Sequence, residues 1–302
     1  MSLVVENVTK IYGRQKALDA VSFQVRRGEV LALLGPNGAG KSTMMKIIAC
    51  YLPQTAGKVI VCGFDVSRQP LEVKKRLGYL PEHNPLYLDM FVKEYLRFVA
   101  GVHGLGRNSK ARVDEMIALT GLTAEYKKTI GALSKGYRQR VGIAQALIHD
   151  PEVLILDEPT SGLDPNQLAE IRSLIRDIGK EKTVILSTHI MQEVEAVCNR
   201  VIIVNKGKIM ADAPTGELRL LHNAGKALLV EFDKAPDIQK LKAIAGVADV
   251  VAEGRNGFRV FSQGVDDLRP AIFRFAVDHG FTLLTMTRQE DSLEQVFREV
   301  TD

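Results

Sequence analysis

Cysteine is scarce and long apolar runs are missing. Only Cys50, Cys62 and Cys198 occur in 302 residues. They are too scattered for a disulfide framework and lack the paired spacing of a metal site, so they read as buried free thiols of a reducing compartment. No apolar stretch approaches the ~20 residues that cross a bilayer. Glu6 and Lys10 interrupt the N-terminal segment, where a signal peptide would need an apolar core. A long heptad insertion and a Lys/Arg-rich arm are also lacking, and no nucleic-acid partner is expected. The rest is ordinary for a globular chain, with 46% hydrophobic and 25% charged residues. The length predicts two domains, divided as 1–218 and 226–302. Charge is split between them. Residues 227–302 carry nine Lys/Arg and thirteen Asp/Glu, a net of −4, which leaves +8 for residues 1–226. The basic part suits a membrane surface, nucleic acid or triphosphate sites, and suits a plain solvated surface equally well.

Residues 35–43 read Gly35-Pro36-Asn37-Gly38-Ala39-Gly40-Lys41-Ser42-Thr43. This is the P-loop pattern G-x-x-x-x-G-K-[ST], whose glycines let successive backbone N–H groups cradle phosphate oxygens. Lys41 can reach the β- and γ-phosphates, and Ser42 can offer its hydroxyl to Mg²⁺. Val30-Leu31-Ala32-Leu33-Leu34 before the loop reads as a buried strand, and Met44 to Ala49 after it as the start of a helix. The dipole of that helix favours anions at its N-terminus. The pattern therefore predicts a bound nucleoside triphosphate.

A second apolar strand, Val153-Leu154-Ile155-Leu156, ends in Asp157-Glu158. A strand end beside a P-loop gives the two carboxylates different work. Asp157 is placed to hold Mg²⁺, and Glu158 to polarise a water for in-line attack on the γ-phosphate. His189 follows a third strand, Val184-Ile185-Leu186-Ser187, and reads as a hydrogen-bonding partner of the γ-phosphate and the attacking water. His83, His103, His149, His222 and His279 lack such context and read as surface or packing residues.

Leu133-Ser134-Lys135-Gly136-Tyr137-Arg138-Gln139-Arg140 resembles the signature motif of ABC-type ATPases, usually Leu-Ser-Gly-Gly-Gln. With it the other motifs fall into that family's order. Tyr12 matches the aromatic that stacks on adenine, and Glu82 stands where the Q-loop glutamine belongs. Ser161-Gly162-Leu163-Asp164 matches the D-loop, and His189 matches the switch histidine. The resemblance implies a P-loop ABC nucleotide-binding domain of α/β class, with a core sheet, an antiparallel β subdomain and a helical subdomain. It implies ATP and Mg²⁺ as ligands, held by Tyr12, residues 35–43, Glu82 and Asp157. It further implies a head-to-tail homodimer in which Ser134, Lys135, Gly136 and Asp164 act on the ATP of the other copy. Ser134 also reads as a simple helix N-cap, and the two roles are compatible.

Two departures stand out. Glu82 replaces the usual glutamine, and Lys135-Gly136-Tyr137 replaces Gly-Gly-Gln. Both resemble ATPase subunits of ABC-2 type exporters. Residues 79–90 and 131–140 are similar to gliding-motility-associated (GldA-like) ATPases of Bacteroidota. The implied partner is an integral membrane permease, with this chain on the cytoplasmic face of the inner membrane. The alternative reading is a soluble ABC ATPase acting on ribosomes or nucleic acid.

Residues 86–149 read as helix-rich, with apolar spacing at Tyr95, Phe98 and Val99 and again at Val113, Met116 and Ile117. Pro85, Leu86, Tyr87, Leu88, Met90 and Phe91 read as either core or the entrance to a permease groove. The α/β segment is expected to end near Ile209, with a turn at 212–216. Beyond it, strands and helices in the order βαββαβ predict a small ferredoxin-like α+β domain. A capped amphipathic helix over 291–297 is expected to close the chain. No catalytic constellation appears in this second unit.

Overall fold

The computed structural model describes residues 1–216, 227–262 and 267–289. They fall into two compact units, one within Met1–Thr215 and the other within Gly216–Val300. The helix expected over 291–297 and His222 lie outside the described residues.

In the first unit, β1 (Leu3–Tyr12) and β2 (Gln15–Val25) form a hairpin. With β4 (Ala56–Val61) and the short β5 (Phe64–Asp65) they make a four-stranded antiparallel sheet in the order β2-β1-β4-β5. The second sheet contains β3 (Val30–Leu34), β6 (Leu77–Leu80), β7 (Val153–Asp157), β8 (Thr183–Thr188), β9 (Arg200–Asn205) and β10 (Lys208–Pro214). Its order is β10-β9-β3-β8-β7-β6. All pairings are parallel except β10 on β9. Every residue of β3, β7 and β8 is buried, which explains why these strands read as continuous apolar runs rather than alternating ones.

Helix α1 (Lys41–Ile48) joins the two sheets. Met45, Ile47 and Ile48 share one buried cluster with Leu3, Val5 and Leu18 of the antiparallel sheet and with Leu31, Leu33 and Ile185 of the parallel one. The phosphate-binding motif is therefore anchored in the core that the two sheets share.

After α2 (Pro70–Arg76) and β6, the chain makes α3 (Val92–Val102), α4 (Ser109–Leu119) and α5 (Lys135–Leu147). Tyr95, Val99, Val113, Met116 and Ile117 are buried as their spacing predicts, but Phe98 is exposed. Its ring lies on the outer side of α3, 5.7 Å from that of Tyr87. Helix α6 (Pro165–Gly179) and α7 (Met191–Val197) complete the unit.

The predicted turn at 212–216 gives way to a longer β10, which runs to Pro214. Arg200 holds Asp212 across the β9–β10 pair with two hydrogen bonds of 2.6 Å, and Pro214 is tolerated because β10 is an edge strand that needs no further donor there.

The second unit contains β11 (Ala227–Phe232), α8 (Ile238–Lys242), β12 (Val247–Glu253), β13 (Gly257–Ser262), α9 (Arg269–Asp278) and β14 (Leu283–Gln289). The strands form an antiparallel sheet in the order β12-β13-β11-β14. The helices close over a core that includes Val230, Phe232, Val260, Leu241 and Ile272.

Candidate functional site

Parallel register brings three strand ends to one edge of the sheet. Leu34 at the end of β3 pairs with Thr188 of β8, and Asp157 at the end of β7 pairs with Ser187. A crevice beyond the carboxyl ends of parallel strands is where ligands bind in open α/β sheets. The P-loop leaves β3 at this edge and enters α1. Two of its glycines are dictated by space. A β-carbon at Gly35 would lie 2.2 Å from the Val204 carbonyl oxygen, and one at Gly40 would lie 2.5 Å from that of Ala17. Gly40 also has φ of 109° and forms the N-cap of α1, a backbone that side chains with a β-carbon rarely adopt.

Lys41 is 5% exposed. Its Nζ donates to the carbonyl oxygens of Gly35 at 2.7 Å and Pro36 at 3.2 Å, and lies 3.7 Å from Glu158 Oε1. Burial pulls its pKa down, while the carboxylates of Glu158 and Asp157 oppose that shift. The ammonium is thus held between loop carbonyls and the carboxylates at the end of β7.

Ser42 Oγ donates to Asp157 Oδ1 at 3.0 Å. The same oxygen accepts from Ser187 Oγ at 2.5 Å. Ser187 Oγ in turn accepts from the Glu158 backbone N–H at 2.9 Å. One buried hydroxyl therefore ties both carboxylate residues to β8. Glu158 has φ of +49°, a left-handed conformation costing on the order of 1–3 kcal/mol for such a residue. Its Oε2 accepts from His189 Nδ1 at 3.0 Å. Burial raises the Glu158 pKa, against the opposing pull of His189 and Lys41. A carboxylate raised by burial is a better proton acceptor than an exposed one.

A cleft of about 270 Å³ is lined by Ala17, Asn37, Gly38, Gly40, Lys41, Ser42, Thr43, Glu82 and Glu158. Glu82, just beyond β6, is exposed and shares this cleft with the P-loop although 41 is far from 82 in sequence. A hydroxyl and a single carboxylate 3.0 Å apart fit Mg²⁺ of the nucleotide-bound kind, which takes oxygen donors and draws most of its shell from phosphate and water.

Other predicted residues stand elsewhere. Tyr12 ends β1, is 46% exposed and has Lys10 Nζ 5.1 Å from its ring centroid. It does not line the cleft. Ser134, Lys135 and Gly136 begin α5, also outside the cleft, where Ser134 Oγ accepts from the Tyr137 N–H at 3.4 Å. Lys135 leans on Gly162, where an added β-carbon would sit 2.3 Å from its Nζ. Asp164 caps α6, accepting from the N–H groups of Asn166 at 3.1 Å and Gln167 at 2.9 Å. Within one copy of the chain these residues make helix caps and loop contacts.

The sequence reading passed over Ser187 and also Thr160, Thr188 and Glu193, all four buried next to the site. Ser187 and Thr188 did carry a signal, as two hydroxyls at the end of an otherwise apolar strand. Glu193 carried none, since it stands in an ordinary amphipathic helix.

The family model described as ABC transporter matches residues 18–161. The bacitracin transport ATP-binding protein of Bacillus licheniformis is 33% identical over 98% of this chain and 97% of its own length. The daunorubicin resistance ATP-binding protein DrrA3 of Streptomyces coeruleorubidus is 32% identical over 99% of this chain and 96% of its own. Among solved structures, a dimeric ATP-binding cassette in a post-hydrolysis state with ADP and Pi superposes with a TM-score of 0.65 at 25% identity. It covers 70% of this chain and 98% of that one. An ATP-binding subunit of an ABC transporter gives 0.66 at 30% identity, covering 73% and 93%. The sequence likeness spans nearly the whole chain and the fold likeness 70–73% of it, and the chain belongs to the ATP-binding subunits of the ABC transporter family.

Proposed function

We propose that this ATPase powers a membrane exporter of the ABC-2 type, working as a head-to-tail dimer that sandwiches two ATP molecules. The observation that carries the hydrolytic part is the 3.0 Å contact of His189 with Glu158, a residue that lines the same cleft as Lys41 and Ser42. The P-loop N–H groups and the N-terminus of α1 bind the phosphates. Lys41 turns its ammonium from the loop carbonyls to the β- and γ-phosphates. Ser42 and Asp157 would hold Mg²⁺, which would neutralise charge on the phosphate oxygens. Glu158 accepts a proton from the attacking water as its oxygen bonds to the γ-phosphorus. The bond to the bridging oxygen breaks, and its electron pair leaves on ADP. His189 orients the water and the γ-phosphate. Tyr12 stacks on the adenine, and Glu82 reaches the metal or the water.

Ser134, Lys135, Gly136 and Asp164 sit outside their own chain's cleft, which suits residues that serve the nucleotide of a second copy. ATP then favours the closed dimer because it contacts both copies only in that state. Tyr87, Leu88, Phe91 and Phe98 are about half exposed and follow one another around the start of α3. We read them as the seat of the permease, and the proposal includes a position on the cytoplasmic face of the inner membrane. No helix among the described residues is long and apolar enough to cross a membrane; in this reading the partner carries the path for cargo. The second unit is read as regulatory or dimer-supporting. The likeness to gliding-motility ATPases is part of this proposal and names no cargo.

The test is purification of the full-length Glu158→Gln protein with ATP and Mg²⁺ from gently solubilised membranes. A stable dimer that brings an integral membrane protein with it supports the exporter reading. Ribosomes or nucleic acid without a membrane subunit overturn it in favour of a soluble ATPase.

A further inference from the structure

A buried carboxylate lies behind the hydrolytic pair without touching the nucleotide cleft. Glu193 is in the first turn of α7 and is 3% exposed. One carboxylate oxygen, Oε1, accepts from the Thr160 hydroxyl, and the other, Oε2, accepts from the Thr188 hydroxyl at 2.5 Å. Both threonines are buried as well. Thr160 stands two residues after Glu158, at the head of the Ser161–Asp164 loop. Thr188 stands immediately before His189. Thr188 Oγ1 also accepts from the Ile190 N–H at 3.0 Å, so the segment on both sides of His189 is tied to the same group.

Burying an acid is costly unless its oxygens find donors. Here both oxygens find one, and the N-terminal dipole of α7 adds a favourable field. The two donors come from different parts of the fold, the loop after β7 and the loop after β8. A structural acid needs donors from anywhere. This one draws them from the two segments that bear the reacting side chains.

We propose that Glu193 is a positioning residue for hydrolysis: by holding the Thr160 and Thr188 hydroxyls on its two oxygens, it fixes the spacing between Glu158 and His189. The inference rests on the reading of those two residues as base and γ-phosphate partner. Apart from the clamp, Ser187 Oγ accepts from the Glu158 N–H and His189 meets Glu158 Oε2, which also link the ends of β7 and β8 near the cleft. Small displacements matter here, because a misplacement of about 1 Å can lower turnover about 10²-fold.

The experiment measures MgATP turnover and ATP affinity of the full-length protein. Its variants are Glu193→Ala, Thr160→Val, Thr160→Ser, Thr188→Val, Thr188→Ser, His189→Ala and the double variant Glu193→Ala/His189→Ala. The expected result is a kcat loss of about 10²-fold in Glu193→Ala, with ATP affinity little changed. The valine variants should lose turnover while keeping their shape, and the serine variants, which keep the hydroxyl, should recover it. In the His189→Ala background, removal of Glu193 should add little, since it acts through a residue already gone. Full additivity of the two losses would overturn the inference, as would a kcat that survives in both valine variants. The near-isosteric valines keep the test decisive if Glu193→Ala does not fold. If His189→Ala itself turns over normally, the hydrolytic reading fails and this inference fails with it. If His189→Ala is inactive while Glu193→Ala and the valines are active, only the positioning role is refuted.

Discussion

Ser187→Ala is the sharpest single test of how the site is held. The hydroxyl donates to Asp157 Oδ1 at 2.5 Å and accepts from the Glu158 N–H at 2.9 Å, with all three residues buried. A hydrogen bond to a charged group contributes roughly 1.5–3 kcal/mol net, and a buried N–H left without a partner costs about 1–3 kcal/mol. Both losses pass through one atom and are not strictly additive, so the expected destabilisation is about 2–4 kcal/mol. The left-handed backbone of Glu158 is then free to relax, which swings its carboxylate away from His189 and lowers turnover about 10²-fold. Urea unfolding followed by circular dichroism, with ATP turnover on the same preparations, reads both effects. The transition to follow is that of the larger unit. In an Asp157→Asn background the penalty should shrink, because the bond to Ser187 is no longer charge-assisted. A loss below about 1 kcal/mol with unchanged turnover would refute the reasoning.

Other expectations follow from the same geometry. Glu158→Gln should lower kcat by roughly 10²–10⁴-fold while the protein still binds ATP; equal loss of binding and turnover would deny it the role of base. Gly40→Ala should abolish nucleotide binding in equilibrium dialysis, because the added carbon meets the Ala17 carbonyl oxygen at 2.5 Å on a backbone of φ 109°. Retained affinity would show that the loop tolerates a side chain there. Glu82→Gln should make ATP binding less dependent on Mg²⁺, since a carboxylate facing the phosphates repels them when no metal is present; an unchanged Mg²⁺ titration would sink that idea. His149 stacks on His103 at 4.0 Å, and burial lowers its pKa from the ordinary 6.5 to about 4. The unfolded chain therefore takes up a proton below pH 6.5 that the folded one refuses until about pH 4. Stability is lost as pH falls through that window, by up to about 3 kcal/mol and less where water reaches the ring. His149→Phe should flatten the decline, and parallel curves for the two proteins would contradict this origin.

The strands β3, β7 and β8 were legible because both faces are covered, which forces unbroken apolar runs. β10 was misjudged from its Asp-Ala-Pro-Thr-Gly composition, since the sequence does not announce that Arg200 holds Asp212 from the neighbouring strand. Phe98 was misjudged because helical spacing finds an apolar face but not which member lies at its margin. Ser187 and Glu193 were missed for a common reason. Their worth lies in partners on other segments, 30 residues from Ser187 to Asp157 and 33 from Glu193 to Thr160.

The available chemistry is written along the chain: a phosphate-cradling loop, carboxylates at a strand end, a histidine after another strand, and the order that marks the family. Those signals are local, because a P-loop needs its glycines and its lysine within nine residues of chain. The tertiary structure alone decided which of these groups share a cleft. It set Asp157 opposite Ser187 and Leu34 opposite Thr188, brought His189 to Glu158, and buried Glu193 behind them. Parallel strands joined by long crossovers take their register from packing across the whole sheet, and no short stretch of sequence encodes that packing.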